Sequence, residues 1–153
     1  MSSSRPDPVR LAAWRSVLTT RALLVDELDR ELHRTHDLPL DWYDVLLQLN
    51  EGGGRLRMSE LADATLISRS SATRVCHRME KAGLVRREPD PDDRRGTFAV
   101  LTDEGKDMLR TTARTHLDGV ERTFACHVTE EEAEVIAAAL GRVVDAARAR
   151  LRS

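Results

Sequence analysis

Apolar residues recur at helical spacing along both arms of the chain. Leu11, Trp14, Leu18, Val25, Leu28 and Leu32 fall by threes, fours and one seven, which predicts a helix over residues 9–36. Arg21 lies inside that seven, on the stripe itself, where its stem can pack while its head reaches water or Asp26. Residues 1–8, with three Ser and two Pro and no apolar period, read as a disordered arm. Pro39 breaks the first helix, because proline disfavours a helical residue before it. Asp41 is placed to cap a second helix, Trp42 to Asn50, with Tyr43, Leu46, Leu47 and Leu49 available for burial. Three glycines after Glu51 end it. A short strand is expected over residues 55–58, then a third helix over 60–65, capped by Ser59 and turning Leu61, Ala62 and Leu66 inward.

The next stretch organises the rest. Ser68 caps a predicted helix from Arg69 to Ala82, and Gly83 stops it. Ala72, Val75, Cys76 and Met79 share one face at i, i+3, i+4 and i+7, which marks it as the buried one. Ser70, Thr73, Arg74, His77, Arg78 and Lys81 are left for the other faces. Leu84 to Glu88 and Thr97 to Leu101 then read as two strands of a hairpin whose long tip carries Asp92, Asp93, Arg94 and Arg95. Such a tip is either a solvated loop or a wing able to enter a minor groove. Thr102 caps a long helix to about Ala125, striped by Leu109, Ala113, Leu117, Val120 and Phe124. Thr129 caps the last, striped by Ile136, Leu140, Val143, Val144, Ala147 and Leu151.

Two short helices with a tight turn, the second displaying hydroxyls and arginines, followed by a hairpin, make a winged helix-turn-helix. The expected fold is therefore mainly α with a small β-wing, a DNA-binding domain over 37–102 flanked by helical dimerisation regions at 9–36 and 103–153. The long outer helices carry more apolar face than that core can cover, which argues for a homodimer.

Charge sharpens this picture. The net charge is -2, yet between Arg69 and Arg95 eight basic residues oppose five acidic ones. Such a local basic surface suits phosphate neutralisation better than the global balance would imply. Lysine is nearly absent, since 22 of the 24 basic residues are Arg, a bias that base composition of the genome accounts for. No apolar run approaches the roughly 20 residues of a membrane span, and the polar start lacks a signal-peptide core, so a cytoplasmic protein without membrane contact is expected.

Candidate chemistry narrows the classes further. The five His form no metal-binding pair, and no nucleophile elbow, P-loop or dinucleotide fingerprint occurs, so neither an enzyme, a metal nor a cofactor is expected. Cys76 and Cys126 are 50 positions apart and read as two small buried side chains. The rival readings are a thiol-based redox sensor and a winged-helix interaction module that binds no DNA.

The segments SELADATLISRSSATRVCHRMEKAGLVRRE and DPDDRRGTFAVLTDEG resemble the helix-turn-helix and wing signature of the multiple-antibiotic-resistance regulator (MarR) family of transcription factors. The resemblance extends from about Trp14 to Leu151. It implies a triangular homodimer with interleaved terminal helices, reading a pseudo-palindrome with one winged domain per half, with repression as the default. Carried over by position, the Ser68 to Arg78 helix takes the major groove, Arg95 the minor groove, and Asp93 orients Arg95. Arg74 is the leading base-contact candidate, since arginine pairs bidentately with guanine. Ser68, Arg69, Ser70, Ser71, Thr73, Arg78, Arg86 and Arg94 complete the expected double-stranded DNA surface. The resemblance also implies a small aromatic or anionic effector, for which Trp14, Arg15, Arg21, His36, Trp42, Tyr43 and His116 are the polar or aromatic candidates. Peroxide-sensing relatives carry a reactive Cys near the N-terminal helix, and this chain has none there.

Overall fold

The computed structural model describes residues 5–152 and is mainly helical, with one small sheet. The order is α1 (Pro8–His36), α2 (Leu40–Glu51), β1 (Arg55–Arg57), α3 (Met58–Ala64), α4 (Arg69–Lys81), β2 (Val85–Pro89), β3 (Thr97–Leu101), α5 (Asp103–Thr123) and α6 (Glu130–Arg152). A single 3-10 turn, Ala125–His127, separates the last two. The predicted arm falls partly outside the described residues, at 1–4. Its end is not an arm: Asp7 accepts the Arg10 amide at 2.9 Å and so caps α1, with Pro8 in the first turn, where its missing N–H costs nothing.

Two caps differ from expectation. Asp41 sits inside the first turn of α2 rather than before it, and Pro39 occupies the cap position with extended backbone. Proline has no side-chain acceptor to offer, so the cap comes from a distance: Asp29 on α1 accepts the Leu40 amide at 2.8 Å. Ser59 likewise lies inside α3. The Glu60 carboxylate reaches back to the Arg57 amide at 2.8 Å and closes that helix start. Leu66, expected inward, is 82% exposed, because α3 ends at Ala64 and the turn carries the residue out.

The core is built from Leu32, Leu38, Tyr43, Val45, Leu46, Leu49, Leu61, Cys76, Met79, Leu84, Val85, Ala99, Leu101 and Leu109. Antiparallel strands in the order β1-β3-β2 close one side. In that register Leu56 faces Ala99 and Val85 faces Leu101, while Arg55, Arg57, Phe98, Arg86 and Glu88 occupy the outer face. Thr102 joins sheet to helix. Its hydroxyl donates to the Gly83 carbonyl at 2.7 Å and accepts the Gly105 amide at 3.0 Å. A Cβ on Gly105 would stand 2.2 Å from the Leu84 carbonyl, so only glycine permits this approach.

On α5 Gly105, Leu109, Thr112 and Gly119 are buried; of the expected stripe, Leu109 is buried, Ala113, Val120 and Phe124 are half-buried, and Leu117 is 62% exposed. Gly105 takes a buried place because the helix start lies close against Leu84. In α6 the Thr129 hydroxyl accepts the Glu132 amide and Glu132 returns to the Thr129 amide, a reciprocal cap. Along it, Val135, Leu140, Val143, Val144 and Leu151 are exposed. On α1, Leu11, Trp14, Val17, Leu18, Leu23 and Val25 are exposed as well. The chain forms two units that part after Leu117, with α6 in the second. Among the described residues, no helix is long and apolar enough to cross a membrane.

Candidate nucleic-acid interface

The second helix of the helix-turn-helix is α4. Ala72, Cys76 and Met79 are buried on one face, with Val75 half-buried against the core beside them, and Ser70, Thr73, Arg74, His77, Arg78 and Lys81 are exposed. Ser68 caps it by accepting the Ser71 amide at 3.2 Å, and the hydroxyls of Ser68 and Ser71 lie 2.9 Å apart. Ser70 adds its hydroxyl 3.2 Å from Ser68, so the helix start displays a cluster of rotatable donors and acceptors. Thr73 turns its hydroxyl back to the Arg69 carbonyl at 3.2 Å. Arg74 is exposed, with its guanidinium 3.3 Å from the Ser71 hydroxyl, which holds it along the helix rather than splayed. Arg69 stands 3.6 Å from Asp63 of α3, and Arg78 is exposed near the helix end.

The arginines of β2 part company. Arg87 is tied to α4: its backbone and guanidinium donate to Glu80 at 2.9 and 3.2 Å, and these bonds hold the Glu80 carboxyl below its ordinary pKa. Arg86 forks onto one Glu88 oxygen at 3.1 and 2.9 Å while remaining exposed, so it meets a phosphate only by sharing or leaving that partner.

At the wing tip, Arg94 and Arg95 are exposed. Asp93 acts differently from expectation. Its carboxylate accepts the Arg95 backbone amide at 3.0 Å rather than the guanidinium, and its carbonyl accepts the Gly96 amide at 2.9 Å. It therefore shapes the chain that carries the arginine.

Three outer-face features escaped the sequence reading. Asp90, one of the five acidic residues between Arg69 and Arg95, has a side chain 1% exposed that lies 2.7 Å from the Arg57 guanidinium. Arg55 stacks on Phe98 at 3.6 Å from the ring centre, and Arg57 lies 5.4 Å from it. The alternation of β1, which puts Arg55 and Arg57 on one face, was the available signal.

Of the seven effector candidates, Tyr43, His36 and His116 meet at residues 115–116 of α5. Arg21 lines a cavity of about 330 Å³ with Ala22, Val25, Asp26, Asp29, Leu40 and Asp41. Tyr43 and His116 stack with ring centres 4.4 Å apart, and His36 lies 2.7 Å from the Thr115 hydroxyl. Burial lowers the His116 pKa and raises those of Tyr43 and Asp44, whose carboxylate accepts the Leu66 amide at 3.0 Å. Trp14 is 59% exposed and Arg15 is exposed on α1, whereas Trp42 is half-buried against the core.

Cys76 is buried, and desolvation pushes its thiol up to about 11, which leaves almost no thiolate at neutral pH. Cys126 is exposed, contrary to expectation, because it falls on the 3-10 turn outside the core. Among the described residues, no group of His, Cys, Asp and Glu is placed to hold a metal ion.

An arginine- and hydroxyl-bearing second helix beside a hairpin tip that exposes two arginines belongs to a winged helix-turn-helix, DNA-binding transcriptional regulator. Residues 36–96 match the MarR family model, and the HTH-type transcriptional regulator PecS of Dickeya dadantii (strain 3937) is 31% identical over 128 residues, 82% of this chain and 76% of that one. The chain belongs to the MarR family of transcriptional regulators. Two solved structures from Streptomyces coelicolor are similar throughout. AbsC, a MarR family transcriptional regulator, gives a TM-score of 0.85 at 36% identity, covering 96% of this chain and 99% of that one. Sco3205, another, determined in complex with DNA, gives 0.86 at 38% identity, covering 95% and 92%.

Proposed function

We propose that the protein is a homodimeric repressor that reads a pseudo-palindromic operator and is released from it by a small effector. The observation that carries the DNA reading is the joint display of Arg74 and Arg78 on α4 and of Arg94 and Arg95 on the wing, on a scaffold similar to one determined with DNA. In this reading α4 enters the major groove, with Arg74 on a base edge and Ser68, Arg69, Ser70, Ser71, Thr73, Arg78 and Arg86 serving phosphates or bases. Arg95, seconded by Arg94, enters the minor groove, and Asp93 sets its backbone. The exposed apolar residues of α1 and α6 support pairing with a second copy, since a monomer rarely leaves such stripes in water. Repression follows from the family resemblance. The effector is placed in the cavity at Arg21, where Val25 and Leu40 offer an apolar wall to a ring. Asp26, Asp29 and Asp41 around the same space select against multiply charged anions.

The test is selection of genomic fragments by the purified protein at two salt concentrations, with its mass measured alongside. Enrichment of one pseudo-palindrome by a species of twice the chain mass, weakening steeply with salt, is the expected result. No enriched sequence at either salt refutes it in favour of a protein-interaction module.

A further inference from the structure

The wing arginines stand on a tip of seven residues, 90–96, and something must decide where that tip points. Asp90 does this from below. Its carboxylate is enclosed, with 1% of the side chain exposed: Oδ1 accepts the Asp92 amide at 2.9 Å, and Oδ2, which takes part in no hydrogen bond of good geometry, has the Arg57 guanidinium 2.7 Å away as its ion-pair partner. Its backbone amide donates to the Gly96 carbonyl at 3.0 Å, which closes the loop opposite. Gly96 lies so near that a Cβ there would stand 2.9 Å from the Asp90 Cβ. Asp90 thus occupies the base of the loop and touches both of its limbs.

The other half of the pair leads elsewhere. Arg57 is the last residue of β1 and the cap of α3, its amide held by Glu60 of that helix. The Arg57 to Asp90 contact therefore joins the wing to the first helix of the helix-turn-helix, across a sheet in which β1 and β2 are not neighbours. Loss of Arg57 would leave the enclosed Asp90 charge uncompensated, while loss of Asp90 would release Arg57, which is 43% exposed, from the pair.

We infer that Asp90 is a positioning residue for minor-groove contact: with Arg57 it locks the wing tip relative to the helix-turn-helix, so that Arg94 and Arg95 arrive already aimed. This rests on the DNA-binding reading above. Without the lock, ordering of the tip falls to the binding step, and immobilising even one or two side chains weakens association. Asp90→Asn, nearly equal in shape but uncharged, is then expected to lower operator affinity about ten-fold.

The decisive measurement is a mutant cycle by fluorescence anisotropy, on a duplex carrying the site that the wild-type protein enriches from genomic DNA. Affinities are compared for wild type, Asp90→Asn, Arg95→Ala and the double variant, with thermal unfolding of each. If Asp90 acts through the wing arginine, Asp90→Asn weakens the wild type about ten-fold and the Arg95→Ala protein hardly at all. An equal loss in both backgrounds overturns the inference, as does no loss in the wild type. Arg57→Gln breaks the same pair from its exposed side and serves if Asp90→Asn fails to fold. Arg57→Lys, which keeps one charged contact, is expected to restore part of the affinity. If Arg57→Gln is equally damaging with and without Arg95, Arg57 is itself a phosphate contact and the positioning role is lost. Failure of the DNA-binding reading would look different: no duplex would be enriched, or Arg95→Ala would bind as wild type.

Discussion

Removing Arg74 tests whether α4 reads sequence or only holds the backbone. In the free protein its guanidinium rests 3.3 Å from the Ser71 hydroxyl, an exposed contact whose exchange for a base costs little. A bidentate pair with guanine contributes about 1 to 3 kcal/mol of discrimination. Per half-site, Arg74→Ala should therefore erase roughly a 5- to 150-fold preference at a single base pair, while affinities for other substitutions keep their order. Competition binding against a panel of operators, each altered at one position, measures this directly. The loss should appear at one symmetry-related pair of positions and vanish where the base is already wrong. A uniform loss on every sequence, with the salt slope reduced by about 0.9 for each contact removed, would make Arg74 a phosphate contact and refute the assignment.

Three further outcomes follow from other parts of the molecule. Burial holds the His116 pKa below its ordinary value, so the unfolded chain takes up the proton first as acidity rises, and stability is lost as pH falls through about 6.5. Urea unfolding at pH 7.5 and 5.5 should show a smaller acid loss for His116→Gln, and an unchanged difference would remove His116 as the cause. Val143→Asp sets a carboxylate on the exposed stripe of α6 and should halve the mass seen by light scattering, since a buried unpaired charge costs several kcal/mol; a persisting dimer would move the interface elsewhere. With its thiol pushed up to about 11, Cys76 should leave operator binding unaffected by mild peroxide, and a loss of binding that Cys76→Ala abolishes would restore the redox reading.

The readable parts of this chain were those governed by local rules. Ser68, Thr102 and Thr129 announced their helices because an N-cap acts within three residues of itself. The buried face of α4 followed from spacing alone. What stayed hidden depended on distant neighbours. Asp29 caps α2 from another helix, and nothing near Pro39 foretells it. Asp90 looked like one more acid in a polar loop, because its burial is made by Arg57 and Gly96, which only the folded hairpin brings to it. Of the α5 stripe, Leu109 is buried as its spacing predicts but Leu117 is exposed, and Gly105 and Thr112, which carry no apolar signal, are buried beside it. For the interface, α4 and the wing were legible as charge on one element. The effector candidates were chosen by residue type; His36, Tyr43 and His116 meet on α5, while the cavity at Arg21 includes none of the other six.

The joint at Thr102 gives α5 no slack. Its hydroxyl grips the carbonyl of Gly83, two residues beyond the last residue of α4, while Gly105 rests on the next carbonyl along. A helix seated that tightly cannot slide along its own axis unless residues 83–84 travel with it. The C-terminal end of the reading helix is attached to those same residues. Any force that shifts α5, whatever its source, is thus delivered to the protein's DNA-reading element as displacement rather than absorbed as play.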